Sequence, residues 1–276
     1  MKKEQIAINS VSTRGADLPE TLAAYSEAGF SKVEFALRQV KQFLATGHRV
    51  ADLRQRLDDI GLACIGGFEC TVCCFGDAAQ RAENHRLLMG NAELIAELGG
   101  SVMVVGTDGP AKGSGDSDPI ETIASAFSGL GATVGAFGVT LCIEFNWSPI
   151  VKSMRTAAEI AARSQSPHVG VLFDPAHYHC TPTKFDQLSS ENVDWVRHVH
   201  VNDMRDKPAE LSNCNSDRVL PGEGCLDLRA LFGQLELLGY EGCFSIEMFN
   251  EDLWAMPVGK ASKLMYESLL SLCDGV

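Results

Sequence analysis

Short apolar runs alternate with longer amphipathic segments along the chain. The short runs are rich in Val, Ile, Cys and Phe, and most of them are almost continuously apolar. Runs of this kind are typical of parallel strands that are buried on both faces. The pattern therefore predicts eight strands, over 6–11, 32–36, 63–68, 101–106, 139–145, 169–173, 196–201 and 243–249.

The segments between these runs carry helix start and stop signals. Asp17 followed by Pro19 predicts a helix start, and Gly29 predicts its end. The segment 77–98 is strongly helical and is followed by two glycines. Further helices are predicted to start at Asp118-Pro119 and at Ser148-Pro149, and to cover 226–238 and 258–272.

Eight strand–helix units in 276 residues match the size of one closed (β/α)8 barrel. The alternative fold is a doubly wound open sheet, which usually has a glycine-rich phosphate loop after its first strand. Residues 9–15, at the end of the first run and just after it, lack that glycine pattern. No linker is evident, and 111–117 is predicted to be a mobile loop after the fourth strand. The sequence therefore predicts an α/β fold with a single TIM-barrel domain over 1–276.

The formal net charge of −13 argues against a nucleic-acid partner, because phosphate binding draws mainly on clustered Lys and Arg. No apolar window reaches the length that spans a bilayer, and the first apolar run is too short for a secretory signal. We therefore expect a cytoplasmic protein that does not bind membranes. Its ten cysteines would then be reduced and would act mainly as small buried apolar residues.

Cys70, Cys73 and Cys74 form a cluster that could indicate a metal or redox motif. A zinc site would need a second Cys or His pair at a defined distance, and a redox motif would need the pair to open a helix. Neither context is present in the sequence. We therefore expect these cysteines to serve packing.

Ionisable side chains recur near the C-terminal ends of the later predicted strands. Glu144 interrupts the apolar fifth strand, Asp174 follows the sixth, His200 lies in the seventh and Glu247 in the eighth. Each alone is more simply explained as an ion-pair partner or a buried histidine. Four groups at matching strand ends share one barrel mouth, where their burial is costly unless they are paired or hold a cation. This oxygen-rich set predicts a site for Mn²⁺ or Mg²⁺ that also tolerates Zn²⁺ or Co²⁺.

These motifs resemble the sugar isomerase/epimerase superfamily of xylose-isomerase-like TIM barrels. The likeness covers most of the chain, and its sharpest motifs are Ile143-Glu144-Phe145, Asp174-Pro175-Ala176-His177, the segment 198–203 and Ile246-Glu247. The segments 173–179, 217–228 and 245–249 look closest to inosose (2-keto-myo-inositol) isomerases. The resemblance implies metal ligation by Glu144, Asp174, His200 and Glu247. It further implies that His177 binds the substrate oxygen near the metal and that Arg218 holds a hydroxyl or carbonyl at the far side.

The expected activity is metal-dependent isomerisation or epimerisation of a sugar or cyclic polyol ketone. A proton would move between adjacent carbons of an α-hydroxy ketone through an enediolate. Glu144 and Glu247 are the candidate catalytic pair, because they would lie on opposite sides of the metal. The partner is a small molecule, and the sequence leaves a homo-oligomer open.

Two alternatives stay open at this point. A metal-dependent dehydratase, acting on 3-dehydroshikimate or an inosose, would need the same proton abstraction and a general acid. His177 or His179 would serve as that acid. A non-catalytic barrel that binds metal or sugar is a different class, and loss of one of the four ligands would have indicated it; none is lost.

Overall fold

The structure is a computed structural model that describes residues 1–113, 115 and 118–273. Within this part of the chain, the eight predicted strands form, together with a short two-stranded sheet. In chain order the strands are β1 (Ile6–Asn9), β2 (Lys32–Ala36), β3 (Ala63–Phe68), β4 (Val102–Val105), β5 (Thr140–Glu144), β6 (Val169–Phe173), β7 (Val196–Val201), β8 (Asp203–Met204), β9 (Arg218–Val219) and β10 (Phe244–Ile246).

Helices follow most barrel strands and cover their outer faces. They are α1 (Leu18–Ala28), α2 (Leu37–Ala45), α3 (Val50–Asp59), α4 (Ala78–Glu97), α5 (Pro119–Gly135), α6 (Met154–Ser164), α7 (Pro175–Cys180), α8 (Ser190–Val193), α9 (Leu228–Leu237), α10 (Glu251–Trp254) and α11 (Val258–Leu270). Of the predicted loop 111–117, Ser114, Asp116 and Ser117 lie outside the described residues.

The predicted helix start at Ser148-Pro149 is wrong. The helix begins at Met154, because Ser153 caps it by accepting a hydrogen bond from Thr156 N–H. The Ser148 hydroxyl instead accepts from the backbone N–H groups of Ile150 and Val151 and so holds a turn. Both serines carry the residue type that favours an N-cap, and only the turn geometry separates them.

The eight long strands close into a parallel barrel, as the sequence predicts. Their order around the barrel is β1-β10-β7-β6-β5-β4-β3-β2. Glu144 on β5 pairs with Leu172 on β6, and Ser245 on β10 pairs with His200 on β7. Between β6 and β7 the register shifts at Val171/Leu172. Because all strands run parallel, their C-terminal ends meet at one mouth of the barrel.

Side chains alternate along each strand, which sends every second residue into the barrel. A small apolar cluster of Val104, Cys142 and Leu172 is separate from the main core. Cys142 and Leu172 each lie two residues before an acidic residue, Glu144 and Asp174. The cluster therefore lies one step deeper in the barrel than the carboxylates, while the main core fills the space between strands and helices.

Among the described residues, no helix combines the length and apolar character that a bilayer crossing needs. The described cysteines are all free thiols. Cys74 is buried, and Cys74 N–H donates to Asp108 Oδ1 at 2.7 Å, so the segment around it is held by a carboxylate cap. Cys74 belongs to the main apolar core and Cys70 packs against it, whereas Cys73 is only partly buried.

Candidate active site

The four predicted metal ligands lie together at the C-terminal mouth of the barrel. Glu144 ends β5, Asp174 follows β6, His200 lies in β7 and Glu247 follows β10. One potential ligand atom of each residue lies within 4.8 Å of those of the others, and all four residues are buried. The structure therefore brings together the whole set that the sequence singles out.

His200 directs one ring nitrogen at the carboxylates and the other at a glutamate from β2. Its Nδ1 lies 3.2 Å from Glu247 Oε2 and 3.5 Å from Asp174 Oδ2. Its Nε2 lies 3.2 Å from both carboxylate oxygens of Glu34. Nδ1 is buried and has no hydrogen-bond partner in the described part of the chain, which is rare for a buried polar atom.

This donor set fits a divalent cation. A histidine that binds a metal through one nitrogen usually donates its other N–H to a carboxylate, as His200 does to Glu34. Three carboxylates supply hard oxygen ligands, and His200 Nδ1, which faces two of them, supplies a nitrogen. Glu144, Asp174, His200 and Glu247 are therefore the residues that would hold such an ion.

Two asparagines that sequence reasoning missed orient the carboxylates. Asn202 Nδ2 donates to Asp174 Oδ1 at 3.1 Å and to Oδ2 at 3.2 Å, and its own Oδ1 accepts from Ala176 N–H. Asn9 Nδ2 donates to Glu247 Oε1 at 3.2 Å. Asn9 ends β1, and Asn202 directly follows β7. A polar residue at such a strand end was the signal that could have identified each of them.

Glu34 was also missed as part of the site. It is a fully buried carboxylate that accepts from His198 Nε2 at 3.0 Å as well as from His200. Burial raises the pKa of the Glu34 carboxyl, but the two histidines lower it well below its ordinary value. An acidic residue inside an apolar strand was the available signal, as it was for Glu144.

Arg218 is buried against the ligands and does not stand at the far side of the cavity. Its guanidinium donates to Glu247 Oε2 at 2.8 Å and lies 3.2 Å from Asp174 Oδ2. Its Nε donates to Cys214 O at 2.7 Å, and β8 and β9 pair Arg218 with Met204. Burial lowers the pKa of Arg218, but the nearby Asp174 and Glu247 carboxylates raise it by more. The net pKa lies above its ordinary value, so the guanidinium stays charged.

Arg218 and His200 also keep the ligand carboxylates ionised. Burial raises the pKa of Asp174, but Arg218, together with His177 and His200, lowers it well below its ordinary value. Burial likewise raises the pKa of Glu247, while His200 and Arg218 lower it. Asp174 and Glu247 are therefore ionised, and their negative charge attracts a cation.

His177 lies in the first turn of α7, three residues after Asp174, and its ring contacts Glu144. Its Nε2 is 2.9 Å from Glu144 Oε1. The Asp174 side chain caps α7 by accepting from His177 N–H at 3.2 Å, which fixes the helix start. Burial lowers the pKa of His177, but Asp174, Cys214 and Glu144 raise it to about 10. His179, by contrast, contacts Lys207 O and Ser212 Oγ.

A cavity of about 300 Å³ opens over the cluster. It combines charged groups at its base with aromatic walls, which suits a small polar ligand. Its lining consists of Phe68, Val104, Glu144, Asn146, Trp147, His177, Cys214, Asn215, Arg218, Glu247 and Phe249. A larger cavity of about 510 Å³ lies along residues 13–21 and α2, and none of the four ligands lines it.

The fold belongs to a known class of barrel. The family model described as Xylose isomerase-like TIM barrel matches residues 22–272, almost the entire chain. The chain belongs to this family. The fold and family that the sequence predicts are thereby confirmed.

Known relatives of the chain are enzymes. An inosose isomerase of Bacillus velezensis is 26% identical over 134 residues, which covers 48% of each protein, so the match spans about half the length of that relative. A 3-dehydroshikimate dehydratase of Pseudomonas putida is 26% identical over 275 residues, covering 97% of this chain and 41% of the relative. Among solved structures, the IOLI protein with a bound zinc atom has a TM-score of 0.86 at 19% identity, covering 97% of each chain. This last likeness shows the shared fold.

Proposed function

We propose that the chain is a divalent-metal-dependent isomerase or epimerase of a small sugar or cyclic polyol ketone, of the inosose type. The observation that carries the proposal is the meeting of Glu144, Asp174, His200 and Glu247, with ligand atoms within 4.8 Å of one another. The similarity to inosose isomerases supports the substrate class. A cation held by these four residues would stabilise the negative charge that develops on adjacent substrate oxygens during proton transfer.

Glu144 and Glu247 are the proposed pair that moves the proton, and their surroundings differ. Glu247 has both oxygens engaged, Oε1 by Asn9 and Oε2 by Arg218. Glu144 accepts from His177 at Oε1 only, and both glutamates line the cavity. Donors that favour the charged carboxylate weaken it as a base, so Glu144 is the stronger candidate for proton removal.

His177 and Arg218 are the proposed substrate-binding residues. Both line the cavity, and both present N–H donors beside the carboxylates. His177 would shift its Nε2 donor from Glu144 to a substrate oxygen when the ligand enters. Arg218 would act mainly by holding the charges of Asp174 and Glu247 in place, because its guanidinium already contacts both.

The test combines metal binding with turnover. Calorimetry with Mn²⁺, Mg²⁺, Zn²⁺ and Co²⁺ should show one ion per chain, and inososes and ketohexoses should be screened as substrates with the loaded protein. Glu144→Gln and Glu247→Gln should each lose turnover by at least about a hundredfold, as expected for an acid–base group, while metal is retained. Glu223→Gln changes an exposed glutamate and serves as the control. Undiminished turnover in both active-site variants would contradict the assignment.

A dehydratase is the second candidate, because the Pseudomonas putida 3-dehydroshikimate dehydratase aligns over 97% of this chain. Elimination of water needs a general acid for the departing hydroxyl in addition to the base. His177 lines the cavity and can take that role, whereas His179 is bonded to Lys207 O and Ser212. Assays with 3-dehydroshikimate and inososes separate the two reactions, since dehydration yields a conjugated product that absorbs in the ultraviolet. Metal binding without turnover of any of these compounds would favour a non-catalytic barrel.

A further inference from the structure

Asn146 has an unusual backbone conformation at the edge of the cavity. Its φ is 79°, and among the described non-glycine residues only Gln165 shares a positive φ. Asn146 N–H donates to Val151 O at 2.7 Å, which closes the turn that follows β5. Few non-glycine residues adopt the left-handed region; asparagine is one of those that tolerate it, and such residues recur at functional sites. Its side chain therefore calls for a chemical explanation.

The Asn146 amide has a partner on each side. Lys152 Nζ donates to Oδ1 at 3.1 Å and to the Asn146 backbone O at 3.3 Å. On the other side, Nδ2 lies 3.0 Å from His177 Nδ1 and donates to Cys214 Sγ at 3.5 Å. An ammonium group can only donate, so Lys152 must face the amide oxygen. The orientation of the amide is thereby determined, and its NH2 group must face the histidine.

This orientation selects one tautomer of His177. Because Nδ2 only donates, Nδ1 of His177 must be the bare acceptor. The ring proton then resides on Nε2, which donates to Glu144 Oε1 at 2.9 Å. We propose that Lys152 and Asn146 are positioning residues that hold His177 in the Nε2–H tautomer, with its donor directed at Glu144 and the cavity. The catalytic consequence rests on the function proposed above, where His177 binds a substrate oxygen.

The hydrogen bonds from Lys152 to Asn146 and from Asn146 to His177, here called the relay, also give the left-handed turn a use. With Asn146 in the left-handed region, its backbone O and side-chain Oδ1 both face the same lysine, and its NH2 group faces α7. A proton on Nδ1 would place two donors 3.0 Å apart, so the Asn146 amide disfavours it. The test uses metal-loaded protein, because that is the state in which the function proposed above would operate.

The tautomer can be read directly by long-range ¹H–¹⁵N spectroscopy of the Zn²⁺-loaded protein. The chain has seven histidines, and the His177 signals are identified by their absence in His177→Gln. We expect an unprotonated Nδ1 and a protonated Nε2. Asn146→Gly keeps the positive φ but removes the amide, and Lys152→Met removes the group that orients it. Both should lose the single tautomer, while Gln165→Gly, at the other positive-φ position, should keep it.

Kinetics supply the second readout. Asn146→Gly should lower kcat by about tenfold to a hundredfold, the range for residues that orient a functional histidine, with a smaller change in KM. A protonated Nδ1 in the loaded protein, or an unchanged tautomer in either variant, would overturn the relay. The spectra do not depend on turnover. If no substrate is found but the tautomer behaves as expected, the function proposed above fails while the relay stands.

Discussion

Nε2 of His200 lies 3.2 Å from each carboxylate oxygen of Glu34, which leaves Nδ1 as the nitrogen that faces Glu247. Glu34 thus determines which atom of His200 is available to a cation. The same carboxylate accepts from His198 at 3.0 Å, so its full negative charge is buried between two imidazoles. Through its contact with His200, Glu34 links β2, which carries no predicted ligand, to the predicted ligand on β7.

Glu34→Gln should weaken divalent-metal binding by about tenfold to a hundredfold, because the group that orients His200 is replaced. An amide has one acceptor oxygen for two histidine donors, and its NH2 group would face one of them. Calorimetric titration with Zn²⁺ or Mn²⁺ measures the effect. Glu27→Gln, at an exposed position on α1, should leave the affinity unchanged. Equal affinities for Glu34→Gln and the parent protein would rule out the orienting role.

Arg218→Met should lower the free energy of unfolding of the metal-free protein by about 3–5 kcal/mol, the usual cost of removing one partner of a buried ion pair. The variant leaves the Asp174 and Glu247 carboxylates without their guanidinium partner. Urea unfolding measures the loss, and added metal should restore part of it because the ion also neutralises these carboxylates. Arg38→Met, at an exposed position on α2, is the control. A loss no greater than that of the control would show that Arg218 does not carry the proposed charge balance.

Gly106→Ala should destabilise the protein by about 1–3 kcal/mol through overpacking. A methyl group at this position would overlap the Trp147 carbonyl oxygen and its indole ring, and backbone cannot move aside cheaply. Because Trp147 lines the cavity, the substitution should also raise KM for any substrate. Gly90→Ala, on α4 with open space around the added carbon, should instead be neutral or stabilising. Thermal unfolding of the two variants compares them, and equal behaviour would contradict the close contact.

Buried thiols should resist alkylation in the native state. Burial raises the pKa of Cys64 to about 12 and that of Cys142 to about 12. The thiolate is the reactive form, so at pH 8 these residues are almost entirely protonated as well as shielded. Iodoacetamide followed by mass spectrometry should label exposed Cys225 first, with Cys64 and Cys142 labelled only after unfolding. Rapid native labelling of Cys142 would mean that the barrel interior is open to reagent.

Local sequence pattern determined the barrel and the four candidate ligands. Buried parallel strands need nearly continuous apolar runs, so an acidic residue within or just after such a run stands out, as Glu144 and Glu247 do. The helix start was misjudged at Ser148, because two serines near one another both suit an N-cap. Only the local backbone path decides between them.

The sequence did not predict the contacts between residues that are far apart in the chain. Glu34 and His200 are separated by 166 positions, and Asn9 and Glu247 by 238, so no periodicity relates them. Closure of the barrel places β1 beside β10 and carries these side chains to one mouth. The apolar runs thus determined that a barrel forms and located its strands, although the predicted strands over 6–11 and 243–249 end earlier, at Asn9 and Ile246. The tertiary structure decided which polar groups orient the ligands, because hydrogen bonds depend on distances that exist only after closure.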